Sequence, residues 1–220
     1  MTNHEKIIKI IKILKKATSS MTLPLIDILT NEYGKDPFLI LIACLLSLRA
    51  KDTTTVHVCR ALFAVATTPQ VLCAMDRARL EKIVFKTGFY KNKARILQEV
   101  SQALLDRFEG RVPDTFEELI SIKGVGLKTA NLVLGLAFDK PAICVDTHVH
   151  RISNRLGLIA TKTVEQTEQT LQKKLPQRYW TVWNKLLVMW GQNICVPLSP
   201  KCSQCAIKSE CKRVGVTRSR

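Results

Sequence analysis

Helix starts recur along this chain, and they constrain its fold more than any other feature. Asp36-Pro37 ahead of Phe38 and Thr68-Pro69 each pair an N-cap residue with a proline at the first helical position, where the missing N–H is no loss. Thr115 with Glu118 and Thr163 with Gln166 have the spacing of capping boxes, in which side chains satisfy the first free amides of a helix. Apolar residues recur at helical intervals, as in Ile96, Leu97, Val100, Leu104 and Phe108, and no stretch alternates as a half-buried strand would. Gly110 and Gly191 stand where helices are expected to stop. The expected fold class is all-α. The turn at Asp139-Lys140-Pro141 is the best candidate for a domain boundary.

The first segment, HEKIIKIIKILKKATSS, spaces Lys6, Lys9, Lys12 and Lys15 three apart with isoleucines between them. Such a helix can lie on a membrane, but its lack of arginine, tryptophan and phenylalanine favours a surface helix docked on its own protein. The longest apolar run, Phe38 to Leu48, is too short to cross a bilayer. With 220 residues, 46% of them hydrophobic, the chain can bury a substantial core. Its formal net charge of +16 is far more than solubility needs and is spread along the sequence, which suits a polyanion, nucleic acid first.

Eight cysteines without a recognisable signal peptide argue for reduced thiols rather than disulfides. Cys44, Cys59, Cys73 and Cys144 are scattered in apolar surroundings and are expected in the core. Cys195, Cys202, Cys205 and Cys211 instead crowd together, in the spacing Cys-x6-Cys-x2-Cys-x5-Cys. Four thiols so close in sequence are a metal-ligand set. Zinc is the commonest ion for four cysteines but usually takes two tight pairs, and here there is one. Spacing alone leaves zinc and a [4Fe-4S] cluster equally open.

The stretch IKGVGLKTANLVLGLAF places Gly124-Val125-Gly126 directly ahead of an apolar helix with Lys128 in its first turn. A Gly-x-Gly turn between helices offers free amides and a positive helix end to a phosphate, though a tight turn with no ligand also explains two glycines. Lysine in a first turn opposes the helix dipole. Such an amine becomes a nucleophile for Schiff-base chemistry when burial and neighbouring cations favour its neutral form. Asp146, in VDTHVHRISNRL, is placed either to cap a helix or to steady a sugar cation and move a proton.

Together these residues resemble the helix-hairpin-helix DNA glycosylases, and within them the endonuclease III family. LIACLLSLRAKD, TGFYKNKA, IKGVGLKTANLVL, VDTH and the cysteine spacing occur in the family's order over nearly the whole chain. The resemblance implies a six-helix domain at residues 30–140 and a second domain made of residues 1–29 and 141–220. The second would carry a [4Fe-4S] cluster on Cys195, Cys202, Cys205 and Cys211. It implies a base-excision-repair glycosylase and abasic-site lyase for oxidised pyrimidines in duplex DNA, with Lys128 as nucleophile and Asp146 as its catalytic carboxylate.

The resemblance also implies a monomer, cytoplasmic and associated with the nucleoid through double-stranded DNA that holds damaged pyrimidines or abasic sites. No membrane partner is expected. Phe89 stands at a wedge position, where its own sequence context would also fit a core staple ahead of a helix. Arg49 takes the place of a glutamine that fills the vacated hole in many members, and Lys123 replaces a proline before the glycine turn. Gly124, Val125, Gly126, Lys123 and Lys201 complete the expected DNA contacts, Lys201 being the one charge in the loop VPLSPK. A mismatch-specific glycosylase of the same superfamily, or a DNA-binding module without catalysis, are the alternatives.

Overall fold

The computed structural model describes residues 3–220. Its described residues form helices and connecting turns with no strand, and no helix among them is long and apolar enough to cross a membrane. The chain divides into two compact units, one formed by residues 24–140 and the other by residues 1–23 with 141–220. The first division falls at Pro24 rather than Thr30, because Leu25–Tyr33 is a single continuous helix that a boundary at Thr30 would cut.

The contiguous unit contains α2 (Leu25–Tyr33), α3 (Pro37–Ser47), α4 (Asp52–Phe63), α5 (Pro69–Ala74), α6 (Arg77–Val84), α7 (Tyr90–Phe108), α8 (Phe116–Ile120) and α9 (Leu127–Ala137). Six of these have eight residues or more; α5 and α8 are short. The expected caps are present. Asp36 accepts from the Leu39 N–H at 3.0 Å, Thr68 from Val71, and Thr115 from Glu118. Helix α3, apolar on every face, is the buried centre of the unit, from Phe38 to Leu46, and packs against α2, α4, α7 and α9. Gly110, at φ +76 after the left-handed Glu109, ends α7 and returns its N–H to Leu104 O at 2.9 Å.

The discontinuous unit contains α1 (Asn3–Ala17), α10 (Thr147–Arg155), α11 (Val164–Lys174) and α12 (Trp180–Asn193). Ile7, Ile10, Ile11 and Leu14 of α1 are buried against the cluster that holds Val149, Ile152, Trp183, Leu187 and Trp190. Each side chain so buried contributes about 1.5 to 3 kcal/mol. The lysine face stays outward, with Lys9 paired to Glu210 at 2.6 Å, so this helix docks on its own unit.

Two expectations need correction. Gly191 does not end a helix; it lies inside α12. A Cβ there would meet His148 Nδ1 at 2.3 Å and Arg151 Nη2 at 2.9 Å, so glycine is present to let α10 approach α12. Gly191→Ala should therefore destabilise the protein by about 1 to 3 kcal/mol through overpacking, measured by urea denaturation. Cys73 is half-buried rather than core, its thiol donating to Gln102 Oε1 at 3.0 Å, whereas Cys44, Cys59 and Cys144 are buried as expected.

Candidate active site and cysteine cluster

Helices α8 and α9 form the hairpin around the glycine turn. Gly124 has φ +102, and a Cβ on it would lie 2.8 Å from Ile96 Cγ2, so both its conformation and its contact with α7 demand glycine. Gly126 is different. It is the N-cap of α9 at φ −94, no side chain caps that helix, and a Cβ would meet nothing within 4 Å. The protein itself gives Gly126 no reason to be glycine, while α9 begins with free amide donors.

Val125 was expected among the DNA contacts, but its side chain is buried and its N–H is spent on Ile122 O at 3.0 Å. Its part in the turn is to anchor the hairpin to the core. Lys123 is exposed and stands 3.8 Å from Glu99 Oε2, a pairing too open to hold it.

Lys128 is the second residue of α9 and is exposed, as is Leu127 before it. The partial burial expected of this amine is absent because Thr129 and Ala130 take the inward face of the first turn. Its charge is felt by the buried Cys44 thiol, which burial raises to about 12 and which Lys128 opposes.

Asp146 is the half-buried N-cap of α10, and its Oδ1 accepts from both His148 and Val149 N–H at 2.9 Å. The capping role and a chemical role do not compete here, since both cap bonds use one oxygen and leave Oδ2 outside the cap. Arg151, one turn further along α10, interacts electrostatically with this carboxylate.

Arg49 and Phe89 meet within the contiguous unit. Both are exposed and both adopt left-handed backbone, at φ 55 and φ 49. The Arg49 guanidinium lies 5.8 Å from the Phe89 ring centroid. With 65% of its surface exposed, Phe89 is not a core staple.

The four clustered cysteines line one cavity of the discontinuous unit, together with Arg155, Lys201, Lys208 and Arg213. No group of three or more His, Cys, Asp or Glu side chains among the described residues is placed as a single metal ion would require. The chemistry of the lining, four thiols with basic side chains beside them, suits a centre held by anionic sulfur. Other features suit anionic sulfur: Arg155 donates to Cys195 Sγ and the Arg213 N–H to Cys211 Sγ, each at 3.4 Å. The buried Trp190 indole N–H makes no conventional hydrogen bond, yet it lies near enough to Cys205 to favour that thiol's anionic form. Burial otherwise pushes Cys205 and Cys211 up, a bias that a bound metal centre would reverse.

Lys201 is half-buried and lines this cavity. Two further arginines, unremarked in the sequence pattern, adjoin its loop. The Arg220 N–H donates to Pro200 O and Ser203 N–H to Arg220 O, each at 3.0 Å, which lays the segment carrying exposed Arg218 and Arg220 along the cluster loop.

The all-helical scaffold has counterparts among known proteins. The chain belongs to the HhH-GPD superfamily of base excision DNA repair proteins, whose sequence profile matches residues 42–177. It is similar to Endonuclease III of Thermotoga maritima, with 44% identity over 182 residues that cover 83% of this chain and 85% of that one. Its structure resembles that of a non-covalent Endonuclease III–DNA complex with a TM-score of 0.85 and 33% identity, over 97% of this chain and 96% of the other. A trapped Endonuclease III–DNA covalent intermediate, an estranged-adenine complex, matches with a TM-score of 0.83 and 32% identity, over 97% of both chains.

Proposed function

We propose that this protein is a bifunctional DNA glycosylase and abasic-site lyase that acts, as a monomer, on oxidised pyrimidines in duplex DNA. The observation that carries the reading is Lys128 at the uncapped start of α9, two residues after a glycine that the protein's own packing does not require. Similarity to a relative trapped as a covalent DNA intermediate supports it, and the net charge of +16 supplies the attraction to the duplex.

The damaged nucleotide leaves the stack because its C1′ is inaccessible within it. Amides at the start of α9 hold a backbone phosphate. The neutral Lys128 amine forms a bond to C1′ as the C1′–base bond breaks, and the base departs as its anion and takes a proton from solvent. Asp146 steadies the positive charge that builds on the sugar and accepts the proton that the attacking amine sheds. Transfer of that proton to O4′ opens the C1′–O4′ bond and gives a protonated Schiff base. Loss of a C2′ proton then expels the 3′ phosphate and cuts the strand. Phe89 wedges the stack, and Arg49 fills the vacated space as a donor to the orphaned base.

The donor set of Cys195, Cys202, Cys205 and Cys211 is assigned to a [4Fe-4S] cluster with a structural role, holding the loops that carry Lys201, Lys208 and Arg213. A cytoplasmic, nucleoid-associated location follows from the substrate.

Borohydride trapping on duplexes that carry an abasic site, thymine glycol, 5-hydroxycytosine or a mismatch tests mechanism and substrate together. Adducts on the oxidised pyrimidines and the abasic site are expected, and trapping confined to the mismatch would overturn the substrate assignment.

The two hairpin glycines give a sharper test of the phosphate contact. Gly124→Ala should lower stability by about 1 to 3 kcal/mol, since its backbone and its neighbour both resist a side chain. Gly126→Ala should leave stability within about 0.5 kcal/mol, as at an unconstrained surface site, while weakening duplex binding. Melting curves and fluorescence anisotropy separate the two effects; unaltered DNA affinity in Gly126→Ala would remove this phosphate site from the mechanism.

A further inference from the structure

Lys93 is the one lysine of the contiguous unit that is buried, with 7% of its surface exposed. Its Nζ donates to Leu46 O at 2.7 Å and to Thr87 O at 2.9 Å, and its backbone N–H donates to Phe89 O at 2.9 Å. Leu46 lies in the last turn of α3, which ends at Ser47; Arg49 follows. Thr87 closes the short 3-10 turn Phe85–Thr87, with Gly88 at φ +69 and Phe89 after it. One ammonium thus ties together the two turns that carry Arg49 and Phe89, both exposed and left-handed. Such conformations persist only where the surroundings over-determine them. A cavity of about 310 Å³, bounded by Lys93, Arg49, Phe89, Leu48 and Asn92, leaves room for both turns to shift if that tie is lost.

We propose that Lys93 is a positioning residue for duplex opening, which clamps the end of α3 to the turn before α7 and so presents Arg49 and Phe89 together to the base stack. The inference rests on the reading of those two residues as hole-filler and wedge. Apolar residues could fill this interior; the carbonyls at the ends of α3 and the 3-10 turn are what require a donor. Burial lowers the ammonium's pKa to about 8.

The experiment compares Lys93→Met, which keeps the apolar stem and removes the donors, with Phe89→Ala and the double variant. Three quantities are read: single-turnover excision of thymine glycol from duplex, borohydride trapping on a single-stranded abasic oligonucleotide, and fluorescence of a 2-aminopurine beside the lesion. A single strand has no stack to open, so its trapping reports the chemistry alone. Lys93→Met is expected to slow duplex excision by about tenfold or more and to suppress the 2-aminopurine signal, as loss of positioning would. Single-strand trapping should stay within about twofold, and the same change in the Phe89→Ala background should add less than about twofold, the non-additivity of residues acting as one unit.

Equal losses on both substrates, or a full multiplicative loss in the double variant, would overturn the proposal. Lys93→Gln, which retains one donor head, should fall between the wild type and Lys93→Met, and provides the same comparison if the methionine variant fails to fold. Phe89→Ala with no duplex-specific loss would instead overturn the wedge reading itself, whatever Lys93 does.

Discussion

Lys128→Gln should abolish the borohydride-trapped adduct and strand cleavage while leaving binding to abasic duplex within about threefold of the wild type, since one exposed side chain of similar length is replaced. Glutamine keeps a polar head at the start of α9 but has no amine to bond to C1′. The exposure of Lys128 makes the test clean, because no core packing is disturbed and melting curves should coincide. The same exposure makes a demand on the mechanism: whatever shedding of water helps the amine attack must come from the bound duplex. An adduct formed at the parental rate by Lys128→Gln would mean that another amine is the nucleophile.

Loss of the cluster proposed on the four cysteines should be the largest structural perturbation available. Cys202→Ala is expected to give a colourless protein in place of a yellow-brown one. Stability of the discontinuous unit should fall by about 4 kcal/mol or more, the contribution of a ligand present at a thousand times its Kd. Limited proteolysis should then cut within residues 141–220 and spare residues 24–140, because the four clustered thiols lie in one unit only. A wild-type protein purified without oxygen that is colourless and holds only zinc would refute the assignment.

Features with a local cause were legible in the sequence. The caps at Asp36, Thr68, Thr115 and Thr163 are set by residues at most three positions away, and the periodic apolar face of α1 needed only its own spacing. Features with a tertiary cause were not. Gly191 reads as a helix stop until α10 is seen pressed against it. Val125 sits between two glycines that look ligand-facing, yet its side chain points into the core. Lys91 and Lys93 are indistinguishable in YKNKA, and only the fold buries one and leaves the other in solvent. For Lys128 and Asp146 the resemblance supplied the roles, and the geometry adds how each is presented: one amine on an open first turn, and one carboxylate whose cap occupies a single oxygen.

The split of one unit between residues 1–23 and 141–220 has a consequence for synthesis on the ribosome. Helix α1 emerges first, but α12, on which it packs, emerges after the whole contiguous unit. At about 5 to 20 residues per second, its row of Ile7, Ile10, Ile11 and Leu14 waits roughly 10 to 30 s for a partner. Residues 24–140 can fold during that interval. The lysines at positions 6, 9, 12 and 15 interrupt the waiting apolar stripe with charge at each turn, as gatekeeper residues do beside aggregation-prone segments. The same lysines find partners only once the chain is finished, Lys6 at Leu156 O and Lys9 at Glu210.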